Sequence, residues 1–333
     1  MKDAVTKRFA KAGALISKDG SRMEVPLPSN IGKAEGKLTT VFLDDNCLFI
    51  LIRICSTKIP ERIEESTKGL RKLKINYCSG GRCELRLKSG ERTFLAAGEI
   101  AVDTGQAESS FFYPDGEYTG FEVIFHVEEA KQLPEGGKTV SLPSAASFLY
   151  HHLEGQTKPW IRTAGKFLSD FYDVFQYYAE APFGNELLYI KCTELLTYLA
   201  HLDFGQVQVK RTYYSESQVE IAKRAKDLIC SDLSRRHTAR ELAERFGVSE
   251  TSLKNYFRSV YGCGYAEFQQ SARMEKAAEM LRSTENKLAD IGLKVGFSTQ
   301  AKFGAAFKAC FGVTPLEYRR KCKLQRASDA LDG

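Results

Sequence analysis

TARELAERFGVSETSLKNYFRSVYG (residues 238–262) and LADIGLKVGFSTQAKFGAAFKACFGVTPLEY (residues 288–318) decide the reading of this chain, because they are one pattern written twice. Gly247, Val248 and Ser249 return 49 positions later as Gly296, Phe297 and Ser298; Phe257 and Gly262 return 50 positions later as Phe307 and Gly312. The second copy therefore carries one extra residue after its turn. The tails match as well: Gly262, Tyr265, Glu267 and Phe268 are answered by Gly312, Pro315, Glu317 and Tyr318. A helix, a glycine turn and a second helix, repeated, predict two helix-turn-helix units.

The spacing within each copy sets its geometry. In the first, Leu242 and Ala243 fall on the buried side of the leading helix, and the small Ala243 lets the next helix cross closely. Gly247 supplies the left-handed turn that a side chain resists. Ser249 caps the second helix, and Leu253, Tyr256, Phe257 and Val260 form its buried face. Outward lie Glu250, Thr251, Ser252, Lys254, Asn255 and Arg258, hydrogen-bonding and cationic groups suited to base edges and phosphates. In the second copy Phe303, Phe307 and Phe311 make the buried stripe, leaving Thr299, Gln300, Lys302, Ala305, Ala306 and Lys308 outward. A hairpin repeat that packs on protein is the plain alternative.

Charge placement bears on that choice. The chain has 333 residues and a net charge of +6. Residues 217–333 hold 21 Lys and Arg against 14 Asp and Glu, while the residues before them hold 27 against 28. The whole positive excess sits with the duplicated motif, as a polyanion-binding module requires. Thr238 with Glu241, and Ser217 with Glu220, read as capping boxes at helix starts.

The nine cysteines have no two-residue gap of the kind found in zinc knuckles or redox pairs, so reduced thiols in a cytoplasmic protein are expected. The basic N-terminus is followed by no apolar run of signal-peptide length, and no stretch is long enough for a membrane.

Residues 1–37 resist assignment. From Leu48 the texture is that of short strands broken by turns: LFILIRI, then LRKLKINYC, a turn at Ser79-Gly80-Gly81, CELRLK, a turn at Ser89-Gly90, RTFLA, EIAVD and FEVIFHV. Such a series predicts a β-barrel or jelly-roll over residues 38–143. Its one histidine, His126, reads as structural, and no metal or cofactor is expected. Tyr77, Phe112, Tyr113 and Tyr118 are candidate ligand contacts, with core filling (Phe111 included) the competing role. Over residues 144–203 the period turns helical: Ser144 caps one helix, Pro159 opens a second through WIRTAGKFLSDFYDVFQYYAEA, and Pro182 and Gly184 break it. A third carries the stripe Leu187, Ile190, Glu194, Leu195, Tyr198, Leu199 and Leu202. Residues 204–216 read as a linker.

Residues 217–323 resemble the DNA-binding domain of the AraC/XylS family of bacterial transcription regulators. The resemblance rests on Leu242-Ala243, Ser249, Phe257, Gly262, Arg273, Ala277, Leu281, Ile291, Gly296-Phe297, Phe303, Phe307-Lys308, Gly312, Pro315, Tyr318 and Arg319. It implies seven helices, a linker helix over residues 264–281, and two recognition helices entering successive major grooves of double-stranded DNA. The N-terminal half is more loosely similar to the family's cupin-like effector domains, which implies an α+β multidomain chain, a small-molecule effector and a homodimer formed through residues 144–203. RNA polymerase is a further partner if the chain activates. Two departures stand out: Gly292 replaces the Ala243 of the first copy, at a helix cost of about 1 kcal/mol, and Ala305 occupies a reading position. Two other readings use the cysteines: a thiol-based sensor built on Cys47, Cys55, Cys78 or Cys83, with Cys78 and Cys83 facing across a hairpin, and a DNA-repair methyl acceptor, an enzyme, fused to the motif.

Overall fold

The computed structural model describes residues 2–11, 13–27, 36–56, 71–105, 107–109, 112–127, 141–181, 184–202, 204 and 211–329. The chain divides into two compact units, Met1–Glu216 and Ser217–Gly333.

The first unit opens with helix α1 (Lys2–Lys11), then strands β1 (Leu15–Ile16), β2 (Arg22–Leu27), β3 (Gly36–Phe42), β4 (Cys47–Ile54), β5 (Lys72–Leu87), β6 (Arg92–Ala96), β7 (Glu99–Asp103), β8 (Ala107–Ser109) and β9 (Tyr118–His126). Helix α2 (Leu142–Leu153), strand β10 (Trp160–Thr163) and helices α3 (Lys166–Glu180) and α4 (Gly184–Ala200) follow. The strands pair antiparallel in the order β1-β2-β3-β4-β9-β5-β7-β10, with β6 and β8 on the far half of β5. Residues of period two sort onto opposite faces. Phe49, Leu73, Ile75, Tyr77, Phe121 and Val123 bury one face against α2, α3 and α4. Met23, Leu48, Ile50, Ile52, Tyr118 and Ile124 bury the other with Val5 and Phe9 of α1.

Several expectations are corrected here. The sheet begins before residue 38, because β2 pairs with β3 from Arg22 to Leu27. Ser79-Gly80-Gly81 is not a hairpin turn. β5 runs through it with a bulge between Cys78 and Gly80, and Gly81 takes φ +76°. A bulge with glycine in the left-handed region bends one strand so that its halves pair with different neighbours. Cys78 and Cys83 therefore lie along one strand rather than across a hairpin.

Trp160–Thr163 is a strand on β7, not the start of a helix. Trp160 packs with the helix-covered face and Ile161 with the opposite one, a two-sided burial only an extended chain allows. Ser141, not Ser144, caps α2; Ser144 is the reciprocal partner of that capping box. On α4 the buried side chains are Leu188, Cys192, Leu195, Leu196 and Leu199, so Ile190, 60% exposed, leaves the expected stripe. Phe111 and Pro182 lie outside the described residues.

The second unit is all helical: α5 (Glu216–Ser231), α6 (Ala239–Phe246), α7 (Glu250–Tyr261), α8 (Tyr265–Ser283), α9 (Leu288–Lys294), α10 (Gln300–Phe311) and α11 (Pro315–Asp329). α5 starts one residue before Ser217, which sits inside its first turn. Among the described residues no helix is long and apolar enough to cross a membrane.

Candidate nucleic-acid interface

The first helix pair is fixed at both ends by local chemistry. Thr238 caps α6 by accepting from the Glu241 N–H, and the Glu241 carboxylate accepts from the Thr238 N–H at 3.0 Å. That bond, with the guanidinium of Arg235 beside it, holds the Glu241 pKa down at about 2. The Ala239 N–H, an orphan donor of the first turn, donates to the Tyr265 hydroxyl of α8 at 3.0 Å. Gly247 ends α6 at φ +67°, donating to the carbonyls of Ala243 and Glu244. Two residues on, Ser249 caps α7 by accepting from the Ser252 N–H at 3.1 Å.

Leu253, Phe257, Val260 and Tyr261 are the buried face of α7, with the Phe268 ring of α8 packed edge-on to Phe257 and tilted to Tyr261. Tyr256 is only half-buried; its hydroxyl accepts from the Gln218 amide at 3.1 Å. The remaining surface of α7 is polar. Ser249, Glu250, Thr251, Lys254, Asn255 and Arg258 are exposed and Ser252 is half-exposed. Glu250 and Lys254 form an ion pair at 3.3 Å one helical turn apart. That pairing is legible in the i, i+4 spacing, and it places an acceptor and a donor side by side on the exposed face of α7.

The second pair reuses the scaffold with different details. Lys287 stands at the N-cap position of α9 and makes no side-chain capping bond. Gly296 takes φ +84°, and Thr299, not Ser298, caps α10 by accepting from the Lys302 N–H at 3.3 Å. The extra residue of the second copy thus lies between turn and cap. Counted from the caps, Gln300 matches Glu250, Lys302 matches Ser252, and Lys308 matches Arg258. Gly304 and Ala305 stand where Lys254 and Asn255 stand. Gln300, Lys302, Ala305 and Lys308 are exposed. Ala306 is corrected to partly buried: with Phe297, Phe311 and Tyr318 it packs on the cluster of Phe303, Phe307, Ile291 and α8 residues Met274, Ala277 and Leu281.

One buried knot ties the two pairs to α8. The Arg273 guanidinium, pushed to a lower pKa first by burial and then by Arg236, donates through Nε to the Leu233 carbonyl at 2.9 Å. Gln269 donates to the Arg235 carbonyl at 3.3 Å. Gly296 presses on the same place, since a Cβ there would lie 2.7 Å from the Ser234 carbonyl oxygen and 2.8 Å from the Arg273 Cζ. The loop before α6 and the turn between α9 and α10 therefore share one arginine of α8.

The candidate ligand residues of the first unit do not form one group. Tyr113 and Tyr118 adjoin each other at 5.2 Å on the face shared with α1. Tyr77 lies on the opposite, helix-covered face, 5.3 Å from Phe121. Phe112 is half-buried and its carbonyl accepts from the Glu84 N–H. Tyr118 donates to Asn76 at 2.7 Å, and Asn76 donates to half-buried Glu122 at 2.8 Å, a polar chain leading from buried to partly exposed groups that sequence patterning did not expose. Among the described residues no three His, Cys, Asp or Glu side chains gather as a metal site.

Comparison with known proteins points to the same segment. Residues 242–321 match the family described as a helix-turn-helix domain. A probable transcription factor, PqrA of Proteus vulgaris, is 35% identical over 78 residues, which are 23% of this chain and 64% of that protein. An uncharacterised helix-turn-helix-type transcriptional regulator of Staphylococcus aureus is 31% identical over 129 residues, 38% of this chain and 16% of its own length. The chain thus spans less than two thirds of either relative. The solved C-terminal domain of AraT, a response regulator from Geobacillus stearothermophilus, is 37% identical over 30% of this chain and 84% of that one, with a TM-score of 0.30.

Proposed function

We propose, from the premise that the C-terminal unit carries an AraC-type helix-turn-helix domain, that this chain is a sequence-specific DNA-binding regulator of transcription. Two helix-turn-helix motifs, α6–α7 and α9–α10, would read double-stranded DNA from a common α8. The observation that carries this reading is the exposed face of α7, a run of acceptors, amides and cations on a helix whose other face is locked to α8. Ser249, Glu250, Thr251, Ser252, Lys254, Asn255 and Arg258 form the first reading surface, and Thr299, Gln300, Lys302 and Lys308 the second. Arginine and lysine pair with guanine or phosphate, and asparagine pairs with adenine. Unlike α7, α10 is bare at Gly304 and Ala305, so the first motif carries most of the sequence choice and the second mainly positions the domain.

In this reading the first unit is the sensor: a cupin-like barrel holding a small-molecule effector, with α2–α4 mediating a homodimer and RNA polymerase engaged if the regulator activates. Tyr113, Tyr118, Asn76 and Glu122 are the better-grouped effector contacts, whereas Tyr77 belongs to the packing under the helices. Catalysis forms no part of the reading. Selection of bound duplexes from a random pool by the full chain tests it: an enriched motif supports sequence-specific binding, and a pool that stays random rules it out.

A further inference from the structure

Residues 211–216 were expected to be an irregular linker, yet they are held to the first unit along their length. Arg92 of β6 and Tyr214 exchange both backbone hydrogen bonds, at 2.8 and 2.9 Å. Arg211 donates to the Phe94 carbonyl at 2.7 Å and pairs with Glu99 at 2.5 Å. The Lys158 ammonium lies 3.8 Å from the centre of the Tyr213 ring. Arg92 itself is buried, and its guanidinium is shared between buried Glu84, at 3.0 Å, and Glu216, the first residue of α5.

We propose that residues 211–216 are a releasable strap, latched by Arg92, that restrains the DNA-binding unit while docked; the inference rests on the DNA-binding reading above. Three features make the strap releasable rather than structural. Its backbone pairing is one residue pair long. Glu216 is 78% exposed, so it exchanges Arg92 for water at little cost. Arg92 keeps Glu84 when Glu216 leaves, and Glu99, on losing Arg211, keeps the Ala96 N–H at 2.8 Å, so opening leaves neither side chain without a partner. Because the proposed DNA contacts all lie within Ser217–Gly333, a chain pinned at residue 216 can only remove poses from that unit. Release therefore tightens binding to a duplex carrying a single site.

The test compares the full chain with Glu216→Gln and Arg211→Gln, using hydrogen exchange at the Tyr214 amide and affinity for one selected duplex at fixed salt. The two substitutions change net charge in opposite directions, so plain electrostatics moves DNA affinity in opposite directions. The strap predicts the same direction for both: Tyr214 exchange about tenfold faster and binding about threefold tighter. Unchanged exchange in both variants would overturn the latch. Faster exchange with affinities that stay level, weaken or diverge would overturn the restraint. If the unaltered chain selects no duplex at all, the DNA-binding reading falls and takes the restraint with it.

Discussion

Gly292 of α9 lies directly under Phe303 of α10: a Cβ on Gly292 would stand 3.2 Å from the Phe303 Cβ and 3.3 Å from its Cγ. Sequence reasoning counts this glycine as a loss of helix stability, but the structure makes it the condition for close helix crossing. The first pair has Ala243 in that place and Leu253 opposite; the second has a phenylalanine and needs the extra room. Gly304 is the reverse case, an interior helix glycine with nothing within 4 Å of its missing Cβ.

These two glycines predict opposite signs for the same substitution. Gly292→Ala gains helix propensity of about 1 kcal/mol but forces Phe303, fully buried and held close to its own backbone, to shift. Overpacking of this kind costs about 1–3 kcal/mol, so a net loss near 1 kcal/mol is expected. Gly304→Ala meets nothing and should add about 0.5–1 kcal/mol. Denaturant midpoints of the full chain, followed by the helical signal, check both.

Base readers and phosphate contacts separate by what their removal does. Asn255→Ala and Lys254→Ala should change which duplexes are enriched, with about 1–3 kcal/mol of discrimination lost at the bases they face. Lys254→Ala also leaves Glu250 without its ion-pair partner, which alters the acceptor pattern of α7 as well. Lys308→Ala should weaken all duplexes alike and lower the slope of affinity against salt by about one ion. Affinity measured on two unlike duplexes at several salt concentrations tells these apart.

Much of the second unit was legible in the sequence because its chemistry is local. A capping threonine and glutamate three residues apart, a glycine at a helix end and an apolar stripe at helical spacing each act within one turn, and α6 and α7 follow from them. The misses have long-range or competing causes. The repeat aligns Ser298 with Ser249 and puts one extra residue after the second turn, and the cap of α10 falls on Thr299. Ser79-Gly80-Gly81 looked like a turn because a glycine pair serves a bulge equally well, and only the pairing of β5 with β9 and β6 decides between them. Trp160 and Ile161 looked helical because a four-residue strand among helices is too short to display its period. Tyr77 was grouped with Tyr113 and Tyr118 because sequence shows an aromatic residue but not which face of a sheet it takes.

The capping box of α6 predicts an acid-sensitive contribution. The Glu241 carboxyl is held at about 2 by the Thr238 N–H and Arg235, below the ordinary value of about 4.3. A depressed carboxyl stabilises the fold fully above its unfolded value and loses that contribution as pH falls from about 4.3 toward 2. Glu241→Gln should therefore flatten the decline of the unfolding midpoint over that window, leaving the neutral range with a smaller, pH-independent deficit. Midpoints measured at a series of pH values, unaltered chain against variant, give the comparison.

The thiols predict a labelling order that bears on the sensor alternative. Cys78 and Cys83 are buried in the first unit and burial pushes both thiols up, Cys83 to about 12. Burial raises Cys47 and Cys192 in the same way. Thiolate is the reactive form, so native labelling with a soluble thiol reagent should reach exposed Cys310 first and exposed Cys230, whose thiol burial also pushes up, after it. Rapid modification of Cys78 or Cys83 in the folded chain would revive the thiol-sensing reading.

The central claim is that the first motif chooses the sequence and the second positions the domain. Its most direct test is selection from a random duplex pool by three full-length proteins: the unaltered chain, Asn255→Ala and Gln300→Ala. The expected result is one enriched motif for the unaltered chain, an altered or lost motif for Asn255→Ala, and the unaltered motif, bound more weakly, for Gln300→Ala. A motif that survives Asn255→Ala but changes with Gln300→Ala would contradict it.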